Sequence, residues 1–358
     1  MIDRTIRWIK SAAVKDGYLY CVNRKYSILF RINLQSWELE KIVELEWDQK
    51  GIVTDVYEMD GHIICVPLQG IQAAVYDPDS GKIQYVKMNA DGLELIDVVI
   101  YDCKIWFVPR NLPGKLYYYS PAAAVFAEDR MWEEEARRIE LCGRIKRKCY
   151  IEHNQIYLVI GRKIAKYDFE DRRMTELPNP LNECCADFIR MGDAYYCISE
   201  NDKRRVLYWN VKDGRVFWKE GKENGGYVKL TKAGEAVLLD AVTGIDILID
   251  GKIKKWERSD IDGLEGANFI NAVRYRDRWI LPPWGSASFI ECSSDFTGVK
   301  KHEIKIPAED ILEREMLFSE TEILLDEYIA YTIQKGKEPF GSNTKKSNGQ
   351  VIYDGFKQ

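Results

Sequence analysis

Histidine and the cysteine spacings that bind metals are scarce in this sequence. The 358 residues include three histidines, His62, His153 and His302, which fall in separate repeats of the chain. A zinc centre or a hydrolytic triad needs such side chains to converge, so their scarcity argues against both. No Cys-x-x-Cys pair occurs, and the adjacent Cys184 and Cys185 are poorly spaced for structural zinc. We therefore expect no metal and no cofactor.

Several other signatures are missing as well. There is no phosphate-cradling Gly-x-x-x-x-Gly-Lys loop, no dinucleotide fingerprint and no Gly-x-Ser-x-Gly elbow. No window reaches the roughly 18 uncharged apolar residues of a membrane span, and the N-terminal MIDRTIRWIKS lacks the apolar stretch of a secretory signal. An acidic pI near 5.6, without a recognisable RNA or DNA module, argues against nucleic acid. These absences predict a soluble cytoplasmic protein without membrane contact.

What the sequence does contain is a unit of about 42 residues that recurs eight times. Each unit has a hydrophobic strand, a tight polar turn and a second strand rich in Tyr, Ile and Trp. The turn regions read KDGYLYCV from Lys15, MDGHIICV from Met59, YDCKIWFV from Tyr101, EHNQIYLV from Glu152, MGDAYYCI from Met191, KAGEAVLL from Lys232, YRDRWILP from Tyr275 and LDEYIAYT from Leu325. A strand-only repeat of this length predicts a β-propeller with one four-stranded blade per unit.

The fold class is therefore all-β, with a single propeller domain over residues 1–358. Eight units predict eight blades, and seven is the alternative because the last unit is the poorest match. The last unit ends at GQVIYDGFKQ, which reads as a third strand without a fourth. We predict that the N-terminal strand, TIRWIK, supplies the missing one and closes the ring. The alternative is that residues 2–9 extend the first blade.

Three segments interrupt the repeat. The compositions of residues 122–141 and 307–320 favour short helices, since both are rich in good helix formers. The Gly, Ser, Asn and Lys content of residues 335–350 predicts a flexible surface loop. The strand-borne cysteines Cys21, Cys65, Cys197 and Cys292 are expected to pack as small apolar groups.

Over essentially its whole length the chain resembles propeller repeat proteins of the Kelch and WD type. The resemblance stops at the superfamily, because the paired glycines of a Kelch unit and the Gly-His and Trp-Asp signatures of a WD unit are missing. It implies a propeller scaffold and transfers no functional residue.

A polar column marks the start of the innermost strands. The position four residues before the first residue of each turn region is occupied by Ser11, Asp55, Asp97, Lys148, Asp187, Val228, Asn271 and Thr321, with Lys229 as the alternative to Val228. At equal register these side chains point the same way, towards the axial channel. They either form a network with channel water or bind a cation, an amine or sugar hydroxyls. Acid–base catalysis by Asp97 and Asp187 is weakened by Lys148 between them, which favours ionisation of both.

Basic side chains recur in the loops after the second strands. They are Arg24, Lys25, Arg110, Arg162, Lys163, Lys203, Arg204, Arg205, Lys335, Lys337, Lys345 and Lys346. Pro67, Pro109, Pro282 and Pro283 stiffen the same face, from which Asn111 and Trp284 are predicted to project. Such a face would steer an anionic partner, unless the charges are ordinary solvated turn residues and the tryptophan packs on the neighbouring blade.

Two functions follow from these patterns. The favoured hypothesis is a non-catalytic propeller that binds a protein, or an anionic or carbohydrate small molecule, on the basic face around Arg110, Asn111 and Trp284. The alternative is a carbohydrate-active enzyme with Asp55, Asp97 and Asp187 at the channel mouth. Lys148 and Asn271 complete the predicted ligand-binding set.

Overall fold

The polar turns of the repeat close β-hairpins, which are the building units of the fold. In the first two repeats the turn residues Asp16, Gly17, Asp60 and Gly61 have positive φ values between 51° and 84°. Two consecutive left-handed residues form the turn whose twist matches an antiparallel pair, and Asp and Gly accept that conformation. The hairpins therefore form where the turn chemistry predicts them.

A computed structural model describes residues 4–24, 26–47, 53–69, 72–88, 94–121, 123, 125–146, 150–210, 212–221, 226–241, 244–249, 251–256, 269–313 and 325–335. Within them, seven four-stranded antiparallel sheets follow one another along the chain, and each is built from consecutive strands of one repeat.

Blade 1 contains β1 (Ile9–Lys15), β2 (Tyr18–Asn23), β3 (Ile28–Asn33) and β4 (Leu39–Glu44), and blade 2 contains β5 (Thr54–Met59), β6 (His62–Pro67), β7 (Gln72–Tyr76) and β8 (Ile83–Lys87). Blade 3 contains β9 (Leu95–Tyr101), β10 (Lys104–Pro109), β12 (Leu116–Ser120) and β13 (Val125–Asp129), while β11 (Asn111–Leu112) pairs separately with β14 (Gly143–Arg144). Blade 4 contains β15 (Tyr150–Glu152), β16 (Gln155–Ile160), β17 (Lys163–Asp168) and β18 (Arg173–Leu177).

Blade 5 contains β19 (Cys185–Met191), β20 (Ala194–Ser199), β21 (Arg205–Asn210) and β22 (Val216–Glu220), and blade 6 contains β23 (Tyr227–Ala233), β24 (Ala236–Ala241), β25 (Gly244–Ile249) and β26 (Lys252–Trp256). Blade 7 contains β27 (Val273–Tyr275), β28 (Arg278–Leu281), β29 (Phe289–Ser293) and β30 (Val299–His302). The helices are α1 (Arg130–Arg138), α2 (Ala308–Glu313) and α3 (Leu325–Lys335).

The apolar core is divided among the junctions between neighbouring blades. Each of the seven junctions has its own buried cluster, for instance the one that joins Val22 of blade 1 to Val56 of blade 2. The cluster that contains Phe30 of blade 1 and Phe289 of blade 7 joins the last blade to the first. Seven blades therefore close the ring, since every blade is packed on both faces.

The eighth repeat does not form a blade. Its sequence LDEYIAYT opens helix α3, whose buried Tyr331 packs with Leu312 of α2. The prediction of eight blades is thus wrong, and the alternative of seven is confirmed. Apolar residues at 325, 328 and 329 have helical spacing, but over such a short run the pattern also suited a strand.

The closing seam between blades 7 and 1 involves the N-terminal segment in a way that the sequence did not predict. Thr5 forms an antiparallel bridge with Lys305, just after β30. The amide of Ile6 donates to the carbonyl of Ile304, and the amide of Ile306 donates to the carbonyl of Arg4. The segment reaches the seam but is not the fourth strand of a blade, because β30 fills that place in blade 7. The predicted partner strand in residues 349–358 lies outside the described residues.

Side chains of blades 1 and 7 also contact one another across this seam. Glu291 of blade 7 is buried and accepts a hydrogen bond from the indole of Trp37 in blade 1, at 3.0 Å. The other oxygen of Glu291 accepts from Arg278 at 2.6 Å. The ring of His302 stacks on Trp37 with centroids 3.8 Å apart, and its Nε2 lies 3.1 Å from Glu291. This cluster joins the first and last blades by polar and aromatic contacts.

The seam should make stability depend on pH. Burial lowers the pKa of His302 below its ordinary value of 6.5, although Glu291 acts in the opposite direction. A base with a lowered folded-state pKa contributes stability above its unfolded value, and the contribution is lost as the pH falls through 6.5 towards the folded value.

We therefore expect the melting temperature to fall as the pH drops below 6.5 and expect His302→Phe to remove part of that dependence. Replacing the exposed His62, at the start of β6, with Asn is the control. A His302→Phe profile that runs parallel to the wild type would contradict this assignment.

Both predicted insertions contain helix. In α1, the side chain of Asp129 caps the N-terminus by accepting from the amide of Met131 at 3.1 Å. Trp132 and Ala136 are buried towards blade 4, where Trp132 packs edge-on against Tyr167 at 5.0 Å. The second insertion contains α2, and residues 336–350 of the predicted loop lie outside the described part.

Cys21, Cys65, Cys197 and Cys292 are buried, as predicted, and burial raises the pKa of each thiol. None of the helices within the described residues is long and apolar enough to span a membrane.

Candidate functional site

The inner strands place charged residues at one level of the axial channel. Asp55 pairs with Val66, Asp97 with Val108, Asp187 with Ile198 and Lys229 with Asp240. Each partner is the fifth residue of its second strand, so the four positions are equivalent. Three members of the predicted column, Asp55, Asp97 and Asp187, therefore share one register, with Lys229 in place of Val228.

Bulges bring that register about in several blades. Ile96, Ala186 and Val228 are extra residues in β9, β19 and β23, each just before the charged position. A bulge adds one residue to one strand and redirects the side chains that follow. In blade 6 the hairpin closes at Ala233 and Ala236, one residue later than the aligned turn region that starts at Lys232, so Lys229 and not Val228 occupies the level. The sequence had left that choice open.

Lys10 connects the two carboxylates of blades 2 and 3. It lies in the bulge of β1, and its Nζ is 2.5 Å from Asp55 and 2.8 Å from Asp97. All three side chains are at most 5% exposed. Burial alone would lower the pKa of Lys10, but the two carboxylates outweigh it and raise the pKa. One buried ammonium thus holds three successive blades together.

The neighbouring Ser11 also works across blades. Its Oγ accepts a hydrogen bond from the amide of Val56 at 2.7 Å. The predicted column contained Ser11 and missed Lys10, because the bulge places two consecutive residues at one level. A polar pair in the bulge, Lys10 and Ser11, is the only signal in the sequence that could have revealed it.

Asp187 and Lys229 form the second buried pair, between blades 5 and 6. Lys229 Nζ lies 3.2 Å from Asp187, and the same carboxylate accepts from the amide of Leu230 at 2.7 Å and from its own neighbour, Phe188, at 3.1 Å. Lys229 is 7% exposed. Asp187 is thereby used in joining two blades.

The remaining members of the column behave differently. Asn271 is half-buried, and its Oδ1 accepts from the amide of Ala272 at 3.0 Å. Lys148 and Thr321 lie outside the described residues. The structure therefore brings Lys10, Asp55 and Asp97 together on one side of the channel and Asp187 and Lys229 on another.

A cavity of about 330 Å³ lies in the channel beside the second pair. Its walls include Ile100, Ile151, Ile189 and Ile270 from four blades, together with Lys229. Thr231, Lys232 and Asn271 add polar groups on blades 6 and 7. Mainly apolar walls with a few polar groups are typical of small-ligand sites, whose volumes start at about 300 Å³.

Charged residues also lie where the inner strands end. Glu152 accepts from Lys232 at 3.2 Å and pairs with Arg190 at 3.2 Å, so blades 4, 5 and 6 are linked there. Glu152 is thus shared by two cations, and Lys232 is also one of the residues that line the cavity.

The charge of the predicted basic face is less uniformly positive than the sequence suggested. Arg110 pairs with Glu94 at 3.6 Å and donates to the carbonyl of Leu95, and Asn111 is exposed in β11. Other loop cations also have acidic partners: Lys163 pairs with Glu176, Lys146 with Glu200, and Arg204 and Arg205 with Asp202. Lys25, Lys337, Lys345 and Lys346 lie outside the described residues. The turns of the opposite face are likewise paired, as with Asp213 and Arg215.

Trp284 is half-buried on this face, beside the closing seam. Its ring meets that of Trp8 edge-on at 5.8 Å, and the guanidinium of Arg24 lies 5.8 Å from the ring centroid. Trp8 itself has a left-handed backbone with φ 59°. The tryptophan therefore packs on the N-terminal segment, which agrees with the alternative that it contacts a neighbouring blade. No contact in the described residues joins it to Arg110 or Asn111.

The histidines lie away from the channel. His62 is the first residue of β6, His153 lies in the turn between β15 and β16, and His302 belongs to the seam cluster. Within the described residues, no group of three or more His, Cys, Asp or Glu side chains could hold a metal ion.

Solved structures show similarity of fold. Streptogramin B lyase aligns with a TM-score of 0.59 at 11% identity, over 84% of this chain and 94% of that one. A catalytically inactive virginiamycin B lyase from Staphylococcus aureus, with quinupristin, gives 0.54 at 11% identity over 83% and 94%. PorZ of the type-IX secretion system of Porphyromonas gingivalis gives 0.58 at 11% identity, over 84% of this chain but 38% of its own. No protein-family model and no curated protein matches the chain. At such identities the similarity supports the propeller fold alone.

Proposed function

We propose that the protein is a non-catalytic β-propeller that binds an anionic ligand or a protein partner on the face that carries Arg24, Asn111 and Trp284. The observation that carries the proposal is the cluster of Trp8, Trp284 and Arg24, an aromatic pair with a cation stacked on it at the loop face. Aromatic and arginine side chains dominate the binding energy of many interfaces. The Kelch and WD resemblance and the cytoplasmic location belong to the same proposal.

The alternative, a carbohydrate-active enzyme, has less support. Acid–base hydrolysis requires one carboxyl group that holds a proton and another that stays ionised. Asp55 and Asp97 share the ammonium of Lys10, and Asp187 is engaged by Lys229 and the amide of Leu230. These contacts give the carboxylates a role in joining blades.

The proposal predicts a loss of binding when the loop-face cluster is removed. A partner captured by the immobilised wild-type protein, identified and then purified, should bind the Trp284→Ala/Arg24→Ala double variant at least about tenfold more weakly. The exposed Arg215, on the opposite face, provides the matched control Arg215→Ala.

Unchanged affinity in the double variant, with the fold intact by circular dichroism, would reject this face. Asn111→Ala, tested in parallel, measures how far the site extends towards blade 3. If the partner were lost equally by Arg215→Ala, the binding would be general attraction to positive charge.

A further inference from the structure

Two buried lysines occupy the same level of the channel but have different surroundings. Lys10 has a carboxylate on each of two neighbouring blades, Asp55 and Asp97. Within the described residues, Lys229 has one carboxylate, Asp187. Lys10 has a second carboxylate partner, Asp97, whereas Lys229 has no second one among the described residues and borders the cavity. The channel therefore offers a buried ammonium with room for a second anion.

The cavity limits what that anion can be. Its volume of about 330 Å³ is near the lower end of the range for ligand pockets, about 300–1,000 Å³, so the ligand must be small. Ile100, Ile151, Ile189 and Ile270 form apolar walls that favour a hydrocarbon or aromatic body over a sugar. A free phosphate would leave these walls uncovered.

Polar groups near Lys229 suit a carboxylate. Thr231 Oγ lies 3.5 Å from the carbonyl of Ile270, a weak contact that a stronger acceptor could replace. Within the described residues, the Oδ1 of Asn271 is engaged by Ala272, while its Nδ2 donates to none of them. Residues that carry an ammonium, a hydroxyl and an amide N–H therefore line one cavity, and each of these groups is a hydrogen-bond donor.

We propose that the channel cavity binds a small carboxylic acid with an apolar body, whose carboxylate pairs with Lys229 while its body lies against the isoleucine walls. This site is separate from the loop face, so it stands or falls independently of the function proposed above. Buried hydrogen bonds to charged groups are the stronger ones, which gives the site a preference for an acid over its amide.

The test uses defined probes with matched neutral partners. Binding of benzoate, phenylacetate and 4-methylpentanoate to the full chain is measured by calorimetry and ligand-observed NMR, each against its own amide. At least one acid should bind about tenfold or more tightly than its amide. If no acid binds more tightly than its amide, the proposal is overturned.

Variants locate the binding. Ile151→Trp and Ile100→Trp fill the cavity from half-buried wall positions and should abolish binding of the acid. Val216→Trp, at an exposed position on the outer strand of blade 5, is the control and should bind as the wild type does. Retained binding in a folded cavity-filling variant would place the acid elsewhere and reject the site.

Lys229 itself is tested by replacing the buried pair together. Lys229→Met/Asp187→Asn avoids leaving one buried charge unpaired, and it should reduce the preference for the acid to near parity. A preserved preference in this variant would overturn the role of Lys229. If the variant does not fold, the comparison of acid with amide and the cavity-filling variants still decide the proposal.

Discussion

Replacing Lys10 with methionine is expected to lower the free energy of unfolding by about 3–5 kcal/mol, the usual effect of removing one partner from a buried ion pair. Lys10 Nζ contacts Asp55 at 2.5 Å and Asp97 at 2.8 Å, and all three side chains are almost fully buried. The variant would leave two carboxylates on adjacent blades without the ammonium between them. Urea denaturation followed by circular dichroism measures the change.

Two controls make this expectation specific. Lys163→Met removes a half-exposed ion pair with Glu176 and should change stability by less than about 1 kcal/mol. The triple variant Lys10→Met/Asp55→Asn/Asp97→Asn should recover part of the loss, because no buried charge then lacks its partner. A Lys10→Met protein as stable as the Lys163→Met control would show that the triad of Lys10, Asp55 and Asp97 does not hold the blades together.

The stabilising contribution of the triad is also limited to a range of pH. Because the carboxylates raise the pKa of Lys10 above its ordinary value of 10.5, its contribution to stability is fully present below 10.5. The contribution is lost only as the pH rises through the raised folded-state value. Neutral and mildly acidic pH therefore leave Lys10 charged, and the pH dependence there comes from other groups, such as His302.

Truncating Trp132 to alanine should cost about 3–5 kcal/mol, in the range observed when a large aromatic is removed from a core. Its side chain is fully buried between α1 and blade 4, in contact with Tyr167. The truncation would leave a cavity under the helix, and α1 also loses the contact that orients it. Thermal and urea unfolding report the loss.

The same helix provides its own comparison. Arg137→Ala removes an exposed side chain paired with Glu133 and should cost less than about 1 kcal/mol. Trp132→Phe keeps an aromatic ring in the pocket and should fall between the two. If Trp132→Ala unfolded no more easily than Arg137→Ala, the packing of helix α1 on blade 4 would not contribute to the stability of the protein.

The architecture could be predicted because each repeat contains a turn sequence that favours a hairpin through local interactions. A turn such as Asp16-Gly17 or Asp60-Gly61 favours a hairpin whatever surrounds it, so strand order followed from the sequence. The number of blades did not, since the run at 325–332 suits a strand or a helix and only tertiary packing decides between them. In the structure the run is helical, and its Tyr331 packs on Leu312 of α2.

The channel site was predicted less completely. Spacing found Asp55, Asp97 and Asp187, because an unbroken strand preserves register from the turn. The bulge in β1 adds a second residue at the counted level, so Lys10 was missed. The hairpin of blade 6 closes one residue later than the aligned turn, so counting gave Val228 with Lys229 only as the alternative. A bulge depends on how two strands pair, and one strand read alone does not reveal it.

The loop face shows a different limit. The sequence shows how many cations the loop face carries. The electrostatic potential of that face also depends on the acidic side chains that fold next to the cations, such as Glu94 beside Arg110 and Glu176 beside Lys163. Those partners come from other loops and strands. Trp284 was placed on the correct face, although its contacts with Trp8 and Arg24 depend on how the ring closes.

The closing seam differs from the other six junctions in how its two blades are connected. At those six junctions the polypeptide itself runs from one blade to the next, whereas within the described residues blades 7 and 1 exchange no strand. They meet through the short Thr5–Lys305 bridge, the Trp37–Glu291 cluster and the buried apolar cluster around Phe30 and Phe289. We expect a pulling force to separate blades 7 and 1 before the other junctions, because only noncovalent contacts hold the two blades together.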